Sequence, residues 1–131
     1  MTIELTMLVY SVALLFLLIL IQALAGVLAQ GLPEMAGSRD NLPEPKAFQA
    51  RTKRIVDNHR EGLALFAPLV LVAAVAHISN PVTVLGAQLF FYARVVHALL
   101  YLVGVAWIRP LAWGVGIAGT VLVFAPLIGL A

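Results

Sequence analysis

Four apolar stretches separated by polar breaks run along this chain. Leu5 to Ala29 is interrupted only by Thr6, Ser11 and Gln22. Phe48 to Ile78 is polar for its first three turns and apolar from Gly62 to Ala76. Val82 to Ala106 holds Arg94 and His97 within its apolar run, and Leu111 to Leu130 completes the pattern. The hydrocarbon core of a bilayer is ~30 Å thick, and about 20 residues of apolar helix cross it. The pattern therefore predicts an all-α integral membrane protein, a four-helix bundle of four transmembrane helices forming one domain over residues 1–131. The expected helices cover about 5–29, 48–78, 82–106 and 111–130, with a polar loop at 30–47. Ser79-Asn80-Pro81 marks a tight turn. Ile108-Arg109-Pro110 marks a short connection, and Pro110 suits the first turn of the last helix.

Composition supports a membrane protein. Of 131 residues, 63% are hydrophobic and 11% charged, more apolar surface than a soluble domain of this size could hide. The absence of cysteine excludes a disulfide, a thiolate metal site and a cysteine nucleophile, so any thiol chemistry needs a thiol from a substrate. His59, His77 and His97 lack metal-ligand spacing, and no metal is expected. The net charge is only +2, and the basic residues gather near the first loop. That distribution speaks of membrane orientation rather than a nucleic-acid partner.

Lys and Arg favour the cytoplasmic side. Arg39, Lys46, Arg51 and Lys53 put the first loop there, with both termini on the non-cytoplasmic side, and Arg109 puts the third connection on the cytoplasmic side too. Of the basic residues, Arg94 alone departs from this topology. Trp107 and Trp113 flank the third connection as interfacial aromatics do. The first apolar run has Glu4 and no Lys or Arg before it, and reads as a retained helix, not a signal peptide.

The candidate chemistry lies where polar residues enter the apolar runs. Arg54, Asn58 and Glu61 stand at i, i+4 and i+7 and share a helical face. Arg94, His97 and Tyr101 share a face at i, i+3 and i+7. At 1.5 Å rise, Glu61 lies roughly 10 Å beyond Arg54, and His97 on the order of 13 Å from the cytoplasmic end of its helix. With Arg109, seven polar groups from three helices fall at similar depth in the cytoplasmic half. Charge in lipid is costly and marks functional sites. Three arginines offer forks for carboxylates, Glu61 can take an ammonium, and Asn58 can bond a peptide group. Tyr101 can donate to a developing anion. This set suits a small zwitterionic peptide with two carboxylates and one amine, and leaves positive potential for a thiolate.

The order Arg54-x-x-x-Asn58-x-x-Glu61, Arg94-x-x-His97-x-x-x-Tyr101 and Arg109 resembles the MAPEG superfamily, membrane-associated proteins in eicosanoid and glutathione metabolism. The resemblance covers nearly the whole chain. It implies a four-helix protomer in a homotrimer, with glutathione as co-substrate between protomers and a lipophilic second substrate arriving from the bilayer. Arg54, Asn58, Glu61, Arg94 and His97 would bind glutathione, and Arg109 and Tyr101 would stabilise its thiolate. The implied activity is that of a membrane-bound glutathione-dependent transferase or peroxidase acting on lipophilic electrophiles. The sequence departs from the well-known members at Asp57, Gly62, Pro110 and Trp113, and lacks an arginine near the end of the first helix, where Gln30 is the nearest polar group. These departures argue against eicosanoid synthesis and suit a divergent bacterial member of the inner membrane.

Other readings of the same residues remain. Arg54 can be a cationic interface anchor, Glu61 a structural partner that neutralises Arg94, and His97 a packed core histidine. His59 and His77 read as interfacial, Asp57 and Arg60 as facing solvent or headgroups, and Gly114, Gly116 and Gly119 as close helix contacts. A non-catalytic glutathione- or lipid-binding protein of the same fold, and a small proton-linked transporter using Glu61, are the alternative functions.

Overall fold

Local signals set the ends of each helix in the computed structural model, which describes residues 1–130. Helix α1 (Ile3–Gln30) starts where the Thr2 hydroxyl accepts from the Leu5 N–H, at 3.2 Å, and stops at Gly31, whose φ of 93° leaves the helical region. Helix α3 (Ala47–Val75) follows Pro45 and Lys46. Helix α4 (Pro81–Val103) has a capping box: the Asn80 side chain accepts from the Thr83 N–H, and the Thr83 hydroxyl accepts from the Asn80 N–H. Helix α5 (Arg109–Leu127) carries proline in its first turn, as the sequence leads one to expect.

Three expectations about boundaries need correction. The loop at 30–47 contains a short helix, α2 (Leu32–Ala36), which Pro33 starts. The second long helix ends at Val75 rather than Ile78, because His77 turns to a positive φ of 55°. The third ends at Val103 rather than Ala106. Gly104 takes a left-handed conformation, and the Val105 N–H reaches back to the Leu100 carbonyl at 3.0 Å.

The long helices form an antiparallel bundle in which α4 packs most extensively on α5 and α1 on α3. Helices α1, α4 and α5 are each long and apolar enough to cross a membrane. Helix α3, at 29 residues, is long enough but keeps charge in its first half. Side chains such as Phe16, Leu24, Leu99 and Val121 point outward, as expected of a surface facing lipid.

The interior has two apolar clusters with a polar layer between them. One cluster joins Met7, Leu8, Leu63, Phe66, Val70, Ala87, Phe90 and Val123. Phe66 and Phe90 stack there with ring centroids 3.9 Å apart. The other joins Leu18, Ile55, Val56 and Ala98. Ser11, His59 and Arg94 fall between the clusters in sequence on α1, α3 and α4, and all three are buried. Two glycines let α4 and α5 meet backbone to backbone. A Cβ added at Gly119 would stand 2.5 Å from the Gly86 carbonyl oxygen, and one at Gly86 would stand 2.6 Å from that of Gly119. Gly114 makes no such approach: a Cβ there would meet nothing within 4 Å, so the expectation of a close contact fails at that position.

Candidate functional site

Helix periodicity on α4 places Arg94, His97 and Tyr101 along one face, turned toward α3 and the start of α5. Arg94 and His97 are buried, with 4% and 3% exposure, although both are polar. The His97 and Tyr101 rings lie 5.2 Å apart, centroid to centroid. Arg109, in the first turn of α5, sets its guanidinium over the Tyr101 ring, with Cζ 4.2 Å from the centroid. Its Nε is buried and has no hydrogen-bond partner among the described residues. An unmet buried donor of that kind calls for an acceptor.

His97, Tyr101 and Arg109 border one cavity of about 350 Å³, lined also by Asn58, Ala106, Pro110 and Trp113. A smaller cavity of about 130 Å³ adjoins it, lined by Asn58, Glu61, Gly62, Leu65, Trp113 and Ile117. Asn58 and Trp113 border both. One compartment thus carries the cation of Arg109 and the next carries the carboxylate of Glu61. A ligand with separated negative and positive groups matches that arrangement.

Arg94 does not line either cavity. Its Nη2 donates to Asn58 Oδ1 at 2.6 Å, and its Nε points to His59 Nδ1 at 3.4 Å. The idea that Glu61 neutralises Arg94 is therefore wrong. The ion pairs among the described residues are Lys53–Asp57 at 2.7 Å and Arg60–Asp57 at 3.7 Å, both exposed. Asp57 and Arg60 face outward as expected. Arg54 lies apart from the others. It borders a cavity of about 360 Å³ between α1, α2 and α3, together with Gln22, Gln49 and Lys53 among others. The i, i+4, i+7 row therefore splits: Asn58 and Glu61 share the α5 side, and Arg54 turns toward α1.

His59 is a correction. An interfacial position was expected, yet it is 1% exposed, with Nε2 2.8 Å from the Ser11 carbonyl. A helical face about 100° from Asn58 points into the bundle here because α1 covers it. Trp113, read as an interfacial aromatic, lines both cavities, and its spacing of four residues from Arg109 carried that signal. Glu4, which no spacing in the sequence ties to a partner, is also buried. It is 2% exposed, and its carboxylate accepts from the hydroxyls of Ser79 and Thr83, tying the start of α1 to the α3–α4 turn at the end of the bundle away from Arg109.

The match to a protein-family model agrees with this architecture. The chain matches the model described as the MAPEG family over residues 7–129. Searches of curated proteins and of solved structures return no match. From the first buried turn of α1 to the end of α5, this multi-pass integral membrane protein belongs to the MAPEG family.

Proposed function

We propose that this protein is a membrane-bound glutathione-dependent transferase or peroxidase acting on lipophilic electrophiles. The observation that carries the proposal is the convergence of Asn58, His97, Tyr101 and Arg109 on one cavity, next to a second that holds Glu61. Glutathione has two carboxylates, two peptide groups, an ammonium and a thiol. The Asn58 amide suits its carboxylate or peptide oxygens, and Glu61 suits its ammonium. Arg94 stands behind Asn58. Arg54 borders the cavity on the α1 side, so its contact with the same glutathione needs a second protomer, as in the homotrimer that belongs to this proposal.

The chemistry follows from charge. A thiol is a weak nucleophile until it loses its proton. The Arg109 cation and the Tyr101 hydroxyl stabilise the thiolate by charge and hydrogen bonding, while the proton passes to solvent. The thiolate then attacks an electrophilic carbon, forms a carbon–sulfur bond and expels the leaving group with its electron pair. Apolar acceptors partition into the bilayer, which raises their local concentration at a site between membrane helices.

The test is turnover of chlorodinitrobenzene by detergent-solubilised protein, with and without glutathione. Glutathione-dependent release of chloride faster than the spontaneous reaction in protein-free detergent supports the proposal, and a rate equal to that spontaneous reaction rejects it. Pro110 and Trp113 favour a second reading, because they line the cavity without a hydroxyl or a charge. Saturable glutathione binding with no turnover would establish that non-catalytic role.

A further inference from the structure

We propose that His59 and Arg94 are positioning residues that lock the Asn58 amide with its NH2 group turned into the cavity. A chain of polar contacts runs through three helices. The Ser11 carbonyl on α1 lies 2.8 Å from His59 Nε2 on α3. His59 Nδ1 lies 3.4 Å from Arg94 Nε on α4, and Arg94 Nη2 lies 2.6 Å from Asn58 Oδ1, back on α3.

Donor and acceptor chemistry fixes every orientation in this chain. A guanidinium only donates. His59 Nδ1 must therefore accept, which leaves the ring proton on Nε2, and this N–H donates to the Ser11 carbonyl. Asn58 must offer its oxygen to Arg94, so the NH2 is the end left for the cavity. A flipped amide would set NH2 against guanidinium, donor against donor. The group that Asn58 turns to the cavity is thus its NH2 donor, which favours a carboxylate or peptide oxygen over an ammonium.

Arg94 packs beside two glycines: a Cβ at Gly62 would stand 3.7 Å from its Cζ, and one at Gly116 would stand 3.4 Å from its Cδ. Both hydrogen-bond partners of Arg94 are neutral, and no carboxylate among the described residues pairs with it. Burying a cation on neutral acceptors is costly. Orienting a residue that borders both cavities is a role that accounts for retaining it.

This inference rests on the glutathione reading above, and two measurements separate their failures. The first uses turnover. H59F keeps an aromatic ring beside Phe90 but removes the acceptor. It should raise the KM for glutathione about tenfold, the equivalent of one hydrogen bond, and change kcat less than twofold. H59Q restores an acceptor and a donor and should recover most of the affinity. A histidine that only packs would lower the melting temperature in both variants and leave KM unchanged, which overturns the proposal. The second needs no ligand and holds if H59F fails to fold. In 15N-histidine-labelled protein the His59 Nδ1 should resonate as an unprotonated acceptor and Nε2 as protonated, and R94M should shift Nδ1. A protonated Nδ1, or no response to R94M, overturns the relay whatever glutathione does. Absence of glutathione binding by the wild type together with the expected ring pattern rejects the function and keeps the relay.

Discussion

Arg94 and Asn58, thirty-six positions apart, meet at 2.6 Å within the bundle. Their contact separates stability from recognition. Asn58→Leu removes the acceptor from a buried guanidinium and should cost about 2–3 kcal/mol, seen as a lower melting temperature in detergent. Asn58→Asp keeps an acceptor for Arg94, and strengthens it by charge, so it should melt no lower than the wild type. Both variants lose the NH2 donor and should lose most of the melting-temperature rise caused by glutathione. A full glutathione response in Asn58→Asp would refute the donor role.

Arg109 and Tyr101 form a stacked pair, and two variants assign their parts. Arg109→Ala removes the cation and should lower kcat about 100-fold with a smaller change in KM, on the scale of one lost transition-state donor. Tyr101→Phe keeps the ring under the guanidinium and removes only the hydroxyl. A loss as large as that of Arg109→Ala would assign thiolate stabilisation to the hydroxyl, and a loss under threefold would assign it to the guanidinium. Initial rates with chlorodinitrobenzene at saturating glutathione decide the matter.

Glu61 supplies the carboxylate of the smaller cavity. A ligand that binds only the folded state stabilises it by about 2.7 kcal/mol at a concentration 100 times its Kd. Glu61→Gln keeps the shape and removes the charge that the ammonium would meet. It should abolish most of that gain at the same glutathione concentration. An unaltered thermal shift would take Glu61 out of the site.

The Gly86–Gly119 contact predicts a packing defect. A methyl at Gly119 would strike backbone atoms, the Gly86 oxygen at 2.5 Å and the Phe90 nitrogen at 2.7 Å, which cannot rotate away. Gly119→Ala should therefore destabilise the protein by about 1–3 kcal/mol through overpacking. Gly114→Ala meets no neighbour within 4 Å and should leave the melting temperature within a degree or two of the wild type or raise it slightly. Thermal denaturation of both variants in one detergent makes the comparison.

Glu4 offers a control far from the cavities. Its carboxylate takes the hydroxyls of Ser79 and Thr83 at the α3–α4 turn, whereas Arg109 lies at the α4–α5 connection. Glu4→Ala leaves the Ser79 hydroxyl without its acceptor, while Thr83 keeps the Asn80 carbonyl at 3.0 Å, and should cost about 1–3 kcal/mol. The KM for glutathione should not change. A large change in KM would mean that the two ends of the bundle are coupled.

Local order along the chain already determined the helices, because a run of apolar residues needs lipid on its outside and proline, glycine and asparagine act through their own backbone angles. The turn at Asn80-Pro81, the start at Pro110 and the row Arg94, His97, Tyr101 are of this kind. Spacing within a helix also brought Asn58 and Glu61 to one side. Tertiary structure decided the rest. Arg54 sits one turn before Asn58, yet the covering helix α1 draws it into another cavity. His59 reads as interfacial and nothing in the sequence pairs Glu4, yet both are buried by contacts 48 and 75 residues away. A helical face carries no mark of which neighbour will cover it, and a guanidinium carries none of which acceptor it will meet. Both depend on how four helices pack, and Gly86 and Gly119 set how near α4 and α5 come.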